Sequence, residues 1–191
     1  MTRPEIVFLL EEESAKVLIE GILPRIFGRT QQVPVRYIVF DGKQDLERQL
    51  ERKIRGYLNP EARFIVLRDQ DAEDCRFVKE RLLQKCRPGG NAACKVRIAC
   101  RELESFYLGD LAAVEAGLGI PGFSRRLNQA PYRNPDSIQK PSEFLIKSTK
   151  KRFQKVGGAR AIAPHLNLDD NRSASFGQLV QLIRSTITTL S

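Results

Sequence analysis

The stretch Ile6-Val7-Phe8-Leu9-Leu10-Glu11-Glu12-Glu13-Ser14 joins five consecutive apolar residues to three carboxylates. A continuous apolar run of this length is typical of a strand that is buried on both faces. Ser14 is a candidate helix N-cap, and apolar residues recur after it at helical spacing from Ala15 to Ile26. The segment therefore predicts a buried strand that leads directly into a helix, with acidic side chains at the junction.

The same strand–helix order recurs along the next hundred residues. Further strands are predicted at residues 35–40, 64–67 and 96–100, and each is followed by a helical pattern. We expect the helix after the third strand to end at Pro88-Gly89-Gly90, and the pattern from Leu103 to Leu118 predicts one continuous helix. Strands that alternate with helices imply an α/β fold with a mainly parallel, four-stranded sheet and helices on both of its faces.

Positive charge is concentrated after residue 120. The whole chain has 32 Lys and Arg against 23 Asp and Glu, a formal net charge of +9. Residues 121–191 hold 12 of the basic and 4 of the acidic side chains, so this part alone has a net charge of +8. Such asymmetry indicates a polyanionic partner, and nucleic acid is the usual one. The alternative is a basic surface that only keeps the protein soluble.

We expect residues 1–120 to form the α/β domain and residues 121–191 to form a basic, mostly helical extension packed on it. Within the extension, residues 143–156 and 176–190 have helical patterns. Four lysines of the first pattern recur at spacings that place them on one helix face. Together with one arginine they are the candidate phosphate contacts: Lys147, Lys150, Lys151, Lys155 and Arg172.

Carboxylates follow three of the predicted strands. Glu11 ends the first strand, Asp69 and Asp71 follow the third, and Glu104 follows the fourth. The carboxyl ends of parallel strands lie at one edge of the sheet, so a 2-1-3 strand order would bring Glu11 close to the two aspartates. In an extended segment Asp69 and Asp71 would also project to the same side. Like charges gathered in this way repel unless a cation neutralises them, and Mg²⁺ or Mn²⁺ suits an all-oxygen site.

A structural role is the alternative interpretation of these acidic residues. Side chains at strand ends often cap the helix that follows and complement its dipole. We expect only that role for four of them: Glu12, Glu13, Glu73 and Asp74.

Other common sites and motifs are not indicated. The four cysteines contain no CxxC pair, so free thiols in a reducing cytosol are expected rather than a zinc site. The glycines at 117, 119 and 122 follow a helix rather than a strand, which indicates a loop and not a dinucleotide site. No apolar run approaches the about 20 residues needed to span a membrane, and the N-terminus is unlike a signal peptide.

A glutamate at the end of a first strand and a DxD motif after a later strand resemble the Toprim domain, which topoisomerases, bacterial primases and OLD-type nucleases share. Leu9–Ser14 and Val66–Asp71 carry this resemblance, with Glu12 at a position where the domain usually has glycine. Nearly the whole chain also resembles an uncharacterised bacterial Toprim-like family. That second resemblance rests on Glu12-Glu13-Ser14-Ala15-Lys16, Phe40-Asp41-Gly42-Lys43-Gln44-Asp45-Leu46, Glu102-Leu103-Glu104-Ser105-Phe106, and Asn171-Arg172-Ser173-Ala174-Ser175-Phe176.

This resemblance implies a prokaryotic cytoplasmic protein, often associated with an ABC-type or OLD-type ATPase partner and with antiphage defence. One hypothesis is a Mg²⁺-dependent nuclease in which Asp69 and Asp71 hold one or two metal ions. Glu11 would then be a ligand or general base, and Glu104 a further metal ligand. The alternative is a non-catalytic nucleic-acid-binding or regulatory subunit of an ATPase complex. The oligomeric state, including a homo-oligomer, stays open.

Overall fold

A computed structural model of the chain describes residues 3–28, 33–87 and 94–190. Within these ranges, four parallel strands form one sheet in the order β2-β1-β3-β4. The strands are β1 (Glu5–Leu10), β2 (Val35–Val39), β3 (Ala62–Asp69) and β4 (Cys94–Ala99). The predicted α/β class, the parallel pairing and the adjacency of the first and third strands are confirmed.

Helices connect the strands and then continue alone after β4. The first three are α1 (Glu13–Phe27), α2 (Gly42–Arg55) and α3 (Cys75–Cys86). Six more follow within the described residues: α4 (Ser105–Leu108), α5 (Leu111–Leu118), α6 (Ala130–Arg133), α7 (Pro141–Ser148), α8 (Lys155–Ile162) and α9 (Ala174–Leu190). None of the described helices combines the length and the apolar content that crossing a bilayer needs.

Each face of the sheet has its own hydrophobic core, because successive strand residues point to opposite faces. Val7, Leu9 and Val66 pack in a core with residues of α2 and α3. Phe8 and Leu67 pack on the other face in a larger core with residues of α1, α5, α8 and α9. This larger core contains residues from both sides of position 120, where the division into two parts stays a prediction.

The predicted helix over residues 143–156 is wrong. Helix α7 ends at Ser148 and α8 begins at Lys155, and between them Lys150 and Lys151 have positive φ angles of 52° and 65°. The hydroxyl of Thr149 donates to the Leu145 carbonyl at 2.8 Å and accepts from the Phe153 N–H at 3.2 Å. The resulting turn buries Phe153, which is 2% exposed, and it removes the single lysine face that a continuous helix would present.

The predicted helix from Leu103 to Leu118 is also interrupted, at Gly109 and Asp110. A Cβ on Gly109 would lie 2.0 Å from Oδ1 of Asn171, so the close approach of this loop requires glycine. Asp110 then begins α5 by accepting a hydrogen bond from the Ala113 N–H at 3.0 Å. Both features depend on tertiary neighbours that an apolar repeat does not indicate.

Of the predictions for single residues, some are confirmed and some are wrong. Helix α1 begins one residue before Ser14, whose hydroxyl donates to the Glu12 carboxylate instead of capping the helix. Gly119 and Gly122 lie in the loop after α5, as expected, with φ angles of 60° and 77°, whereas Gly117 lies within α5. All four cysteines are free thiols. The Pro88-Gly89-Gly90 segment that was expected to end α3 lies outside the described residues.

Candidate functional site

The carboxyl edge of the sheet carries charged side chains on both faces, because the strand pleat alternates there as it does in the core. In β3, Arg68 follows Val66 onto the face covered by α2 and α3. Asp69 follows Leu67 onto the opposite face. The edge therefore divides into two clusters rather than one shared carboxylate site.

The Arg68 cluster consists of Arg68, Glu11, Glu47, Asp71 and Glu73. Arg68 is 1% exposed, and all four carboxylates lie within ion-pair distance of its guanidinium nitrogens. The nitrogen–oxygen distances are 2.8 Å to Glu73, 3.5 Å to Glu47, 3.9 Å to Asp71 and 4.0 Å to Glu11. A buried guanidinium is costly unless it is paired, so this cation is held in place by four carboxylates from three segments: the end of β1, helix α2 and the loop between β3 and α3.

Two more cations complete the pairing around this cluster. Arg81 lies 2.8 Å from Glu73 and 2.9 Å from Glu47, and Lys43 lies 2.8 Å from Asp71. Hydrogen bonds from Arg68 and Arg81 lower the pKa of Glu73 to about 2. The prediction that Glu73 only caps a helix is therefore wrong, whereas Asp74 does cap α3 through the Arg76 N–H at 2.8 Å.

The prediction that Asp69 and Asp71 project to the same side is wrong. Strand β3 ends at Asp69, and Asp71 has a left-handed backbone with φ of 57°. Its N–H donates to the Arg101 carbonyl at 2.7 Å, which turns the chain away from the strand direction. The alternation of strand side chains therefore ends at Asp69, two residues before Asp71.

The Asp69 cluster consists of Glu12, Asp69, Glu104, Tyr107 and Lys155. Glu104 is 1% exposed, and both of its carboxylate oxygens lack a hydrogen-bond partner among the described residues. Burial raises the pKa of Glu104 to about 7. Burial, followed by the charges of Glu11, Glu104 and Glu12, raises the pKa of Asp69 well above its ordinary value. These carboxyls are thus poorly compensated by the protein itself.

Lys155 is the cation of the Asp69 cluster. Its Nζ lies 2.5 Å from the Glu12 carboxylate, across a sequence separation of 143 residues. Burial lowers the pKa of Lys155, but the bond to Glu12 and the charges of Glu12, Glu104 and Asp69 outweigh it and raise the pKa. Lys155 therefore starts α8 at the acidic edge, not on an open lysine face. Glu12 is correspondingly an ion-pair partner rather than only the N-cap of α1.

Glu11 connects the two clusters. Its Oε2 accepts a hydrogen bond from the Asp69 N–H at 3.0 Å, and it lies 4.0 Å from Arg68. Burial raises the pKa of Glu11, and the charge of Asp71 adds to that increase. Asp69 is thus influenced by the charge of Glu11 on one side and of Glu104 on the other, whereas Asp71 is held on the Arg68 side.

The donor chemistry of this place fits a hard divalent cation. Asp69, Glu104 and Glu11 offer carboxylate oxygens, the ligands that Mg²⁺ and Mn²⁺ take in proteins. A bound cation would relieve the burial of the two unpartnered Glu104 oxygens. Within the described ranges, no three Asp, Glu, His or Cys side chains are already arranged to enclose an ion. The residues that would hold the ion are nonetheless these three.

The sequence model of the family described as "Domain of unknown function (DUF4276)" matches residues 10–184. The chain belongs to the DUF4276 family. It is also similar to a solved structure, the C-terminal region of the Burkholderia pseudomallei OLD protein, with a TM-score of 0.54 and 18% sequence identity. That similarity covers 98% of both chains and shows a Toprim-like fold. No curated protein matches the sequence.

The predicted phosphate contacts of the DUF4276 chain are not equivalent. Lys147, Lys150 and Lys151 are exposed and form no side-chain hydrogen bond or ion pair with any described residue. Arg172 instead donates to the Leu127 carbonyl and, at 3.3 Å, to the side chain of Asn128. Three free lysines thus remain as candidate phosphate contacts, whereas Arg172 holds a loop in place.

Sequence reasoning missed two basic features of this DUF4276 chain. Arg76, Lys79 and Arg97 line a cleft of about 260 Å³ between α3, β4 and α9. The second feature is Arg68, a charged residue inside an apolar strand, which is an unusual position for arginine. That position alone could have indicated a buried ion pair, but its partners on α2 and in the loop before α3 could not be read from spacing.

Proposed function

We propose that this DUF4276 chain is a divalent-metal-dependent nuclease that hydrolyses phosphodiester bonds in nucleic acid. One observation carries the proposal: Glu104 is a buried carboxylate without hydrogen-bond partners among the described residues, and it lies near half-buried Asp69 at the carboxyl edge of the sheet. Ligand sites of open α/β sheets lie at this edge. The resemblance to Toprim nucleases supports the same chemistry.

Asp69, Glu104 and Glu11 would hold the metal ion. When bound, Mg²⁺ or Mn²⁺ polarises a phosphoryl oxygen and lowers the pKa of a bound water. Lys155 stays protonated, because neighbouring carboxylates raise its pKa, and can offset negative charge that develops on the phosphate. The Tyr107 hydroxyl also stays protonated, because burial raises its pKa, and can donate a hydrogen bond.

The charge distribution supports a polyanionic substrate. Residues 121–191 have a net charge of +8, and Lys147, Lys150 and Lys151 are free to contact phosphates. The basic cleft lined by Arg76 and Lys79 gives a second surface of the same sign. These surfaces favour nucleic acid over a small phosphorylated substrate, because several phosphates would be contacted at once.

Purified protein with Mg²⁺ or Mn²⁺ would be tested on supercoiled plasmid, single-stranded DNA and RNA. We expect cleavage that falls by about 100-fold or more in Asp69→Asn, because a metal ligand is lost. Asp170→Asn is the matched control, because Asp170 is exposed and belongs to neither of the two clusters at the edge of the sheet. We expect it to cleave like the wild type. If the Asp69→Asn variant cleaved nucleic acid at the wild-type rate, the proposal would be overturned.

A second candidate is a non-catalytic nucleic-acid-binding or regulatory subunit. The pairing of the edge carboxylates with Lys43, Arg68, Arg81 and Lys155 favours it, because the protein then already supplies much of the neutralising charge. Its signature would be salt-sensitive binding without turnover, with the same affinity in Asp69→Asn.

The cellular role belongs to the same proposal. The resemblance to the Toprim-like family supports a prokaryotic cytoplasmic protein that acts in antiphage defence beside an ABC-type or OLD-type ATPase. Phage plating on cells with the intact gene or with the Asp69→Asn variant would test it. We expect protection only with the intact protein, in the presence of its ATPase partner.

A further inference from the structure

We infer that Arg68 permanently supplies the charge of a second metal ion, so that the chain binds a single divalent cation, at the Asp69 cluster. This inference rests on the proposed function, in which carboxylates of the edge hold a metal. Two-metal sites neutralise a shared set of carboxylates with two dications. Here the carboxylates are divided between a cluster with a built-in cation and one with an uncompensated acid.

The first argument is the position of the guanidinium. Arg68 is 1% exposed and lies within 4.0 Å of Glu11, Glu47, Asp71 and Glu73. Its Nε and Nη1 have no hydrogen-bond partner among the described residues, so attraction to Glu11 and Glu47 at 4.0 and 3.5 Å is electrostatic without a closed bond. The guanidinium is therefore held by one hydrogen bond, to Glu73 at 2.8 Å, and otherwise by its charge among these carboxylates.

The second argument is the fate of Asp71, the residue of the DxD motif that would otherwise be a metal ligand. Its Oδ2 is 2.8 Å from Nζ of Lys43 and 3.9 Å from Arg68. A dication at Asp71 would lie close to both positive groups and be repelled by them. The left-handed backbone of Asp71 keeps this carboxylate away from the face to which Asp69 points.

The third argument is the contrast with the Asp69 cluster. Its cation, Lys155, is bonded to Glu12, and the Glu104 oxygens have no hydrogen-bond partner. Burial of an unpaired carboxylate is unfavourable, so a divalent ion would be attracted to Glu104 and Asp69, and Glu11, 4.0 Å from Arg68, is the one ligand of this ion that also belongs to the Arg68 cluster. The carboxylates on the face covered by α2 and α3 are thus neutralised by Arg68, whereas those of the Asp69 cluster would be neutralised by a divalent metal ion.

The test is a Mn²⁺ titration of the full chain at pH 8, with the free ion measured by electron paramagnetic resonance. We expect one ion per chain for the wild type and no tight site in Asp69→Asn. Asp71→Asn should still bind one ion, with an affinity within about threefold of the wild type. A loss of more than about tenfold in Asp71→Asn would overturn the inference, because Asp71 would then be a ligand.

Arg68→Gln should expose a second site, which Arg68→Lys should not. If the Arg68→Gln variant is unfolded in metal-free buffer, circular dichroism should show that added Mn²⁺ restores its fold. Arg81→Gln is the control, since Arg81 pairs with Glu47 and Glu73 but not with Glu11 or Asp71; it should still bind one ion.

The inference and the proposed function fail in different ways. Two ions on the wild type with nucleic acid cleaved would overturn the inference and leave the nuclease standing. One ion without cleavage of any substrate would support the inference and remove the nuclease. No bound ion at all would overturn both.

Discussion

Arg68 and Asp69 are consecutive residues of β3, and the pleat of the strand sends their side chains to opposite faces of the sheet. Arg68 meets four carboxylates. Desolvation and the charges of Glu11, Glu104 and Glu12 raise the pKa of Asp69. At the scale of single residues, the site is therefore defined by which carboxylates have a cation and which do not.

Glu104 should make the metal-free protein less stable as the pH rises. In the folded state the Glu104 carboxyl has a pKa of about 7 and keeps its proton up to that pH, whereas the ordinary pKa of a glutamate is 4.5. The folded state therefore binds more protons than the unfolded state in that window, and stability falls by about 3 kcal/mol across it. Urea unfolding between pH 4.5 and 8 measures the effect, to which the raised pKa values of Asp69 and Glu11 add in the same direction.

Glu104→Gln should flatten this dependence, because the amide carries no proton to lose. We expect the variant to be more stable than the wild type by about 1–3 kcal/mol at pH 8 without metal, and similar to it at pH 5. Glu61→Gln, at an exposed position, is the control and should follow the wild type. A wild-type stability that rises from pH 5 to pH 8 would contradict the raised pKa.

At the scale of elements, the apolar runs were sufficient to predict the strands and their parallel pairing. Strand β1 is fully buried because Ile6 to Leu10 offers apolar side chains to both faces. The break between α7 and α8 could not be predicted, because the turn at Lys150 and Lys151 depends on burying Phe153 in a distant core. The division of the DxD motif likewise depends on the residue at which β3 ends.

The loop between α4 and α5 depends on Gly109. In Gly109→Ala the new Cβ would lie 2.0 Å from Asn171 Oδ1 and 2.7 Å from the backbone nitrogen of Ser173. We expect a loss of about 1–3 kcal/mol in the free energy of unfolding, because backbone must move. Gly177→Ala is the matched control: nothing lies within 4 Å of its Cβ, and alanine in helix α9 should stabilise by about 0.5–1 kcal/mol. Thermal unfolding compares the two.

At the scale of the whole molecule, charge was readable from the sequence but its arrangement was not. The basic excess after residue 120 is a matter of counting. Folding then takes Lys155 to Glu12 and Arg172 to the Leu127 carbonyl, so neither belongs to an open phosphate surface. Such pairs join residues far apart in the chain, and no local spacing indicates them.

Nucleic-acid binding should weaken with salt, and the exposed lysines should account for part of the slope. Substituting Lys147, Lys150 and Lys151 together by Gln should reduce the slope of log K against log salt concentration by up to about 3. The same substitution of Lys53, Lys85 and Lys95, which lie on other elements, should leave the slope nearly unchanged. Fluorescence anisotropy with a labelled oligonucleotide measures both slopes, and equal slopes for the two triple variants would exclude Lys147, Lys150 and Lys151 as a contact surface.

The most direct measurement is a crystal structure of the full chain soaked in Mn²⁺, with the ion located by its anomalous scattering. We expect one peak bounded by carboxylate oxygens of Glu11, Asp69 and Glu104. A peak among Glu47, Asp71 and Glu73, or no peak at the carboxyl edge of the sheet, would contradict the metal centre on which the proposed chemistry depends.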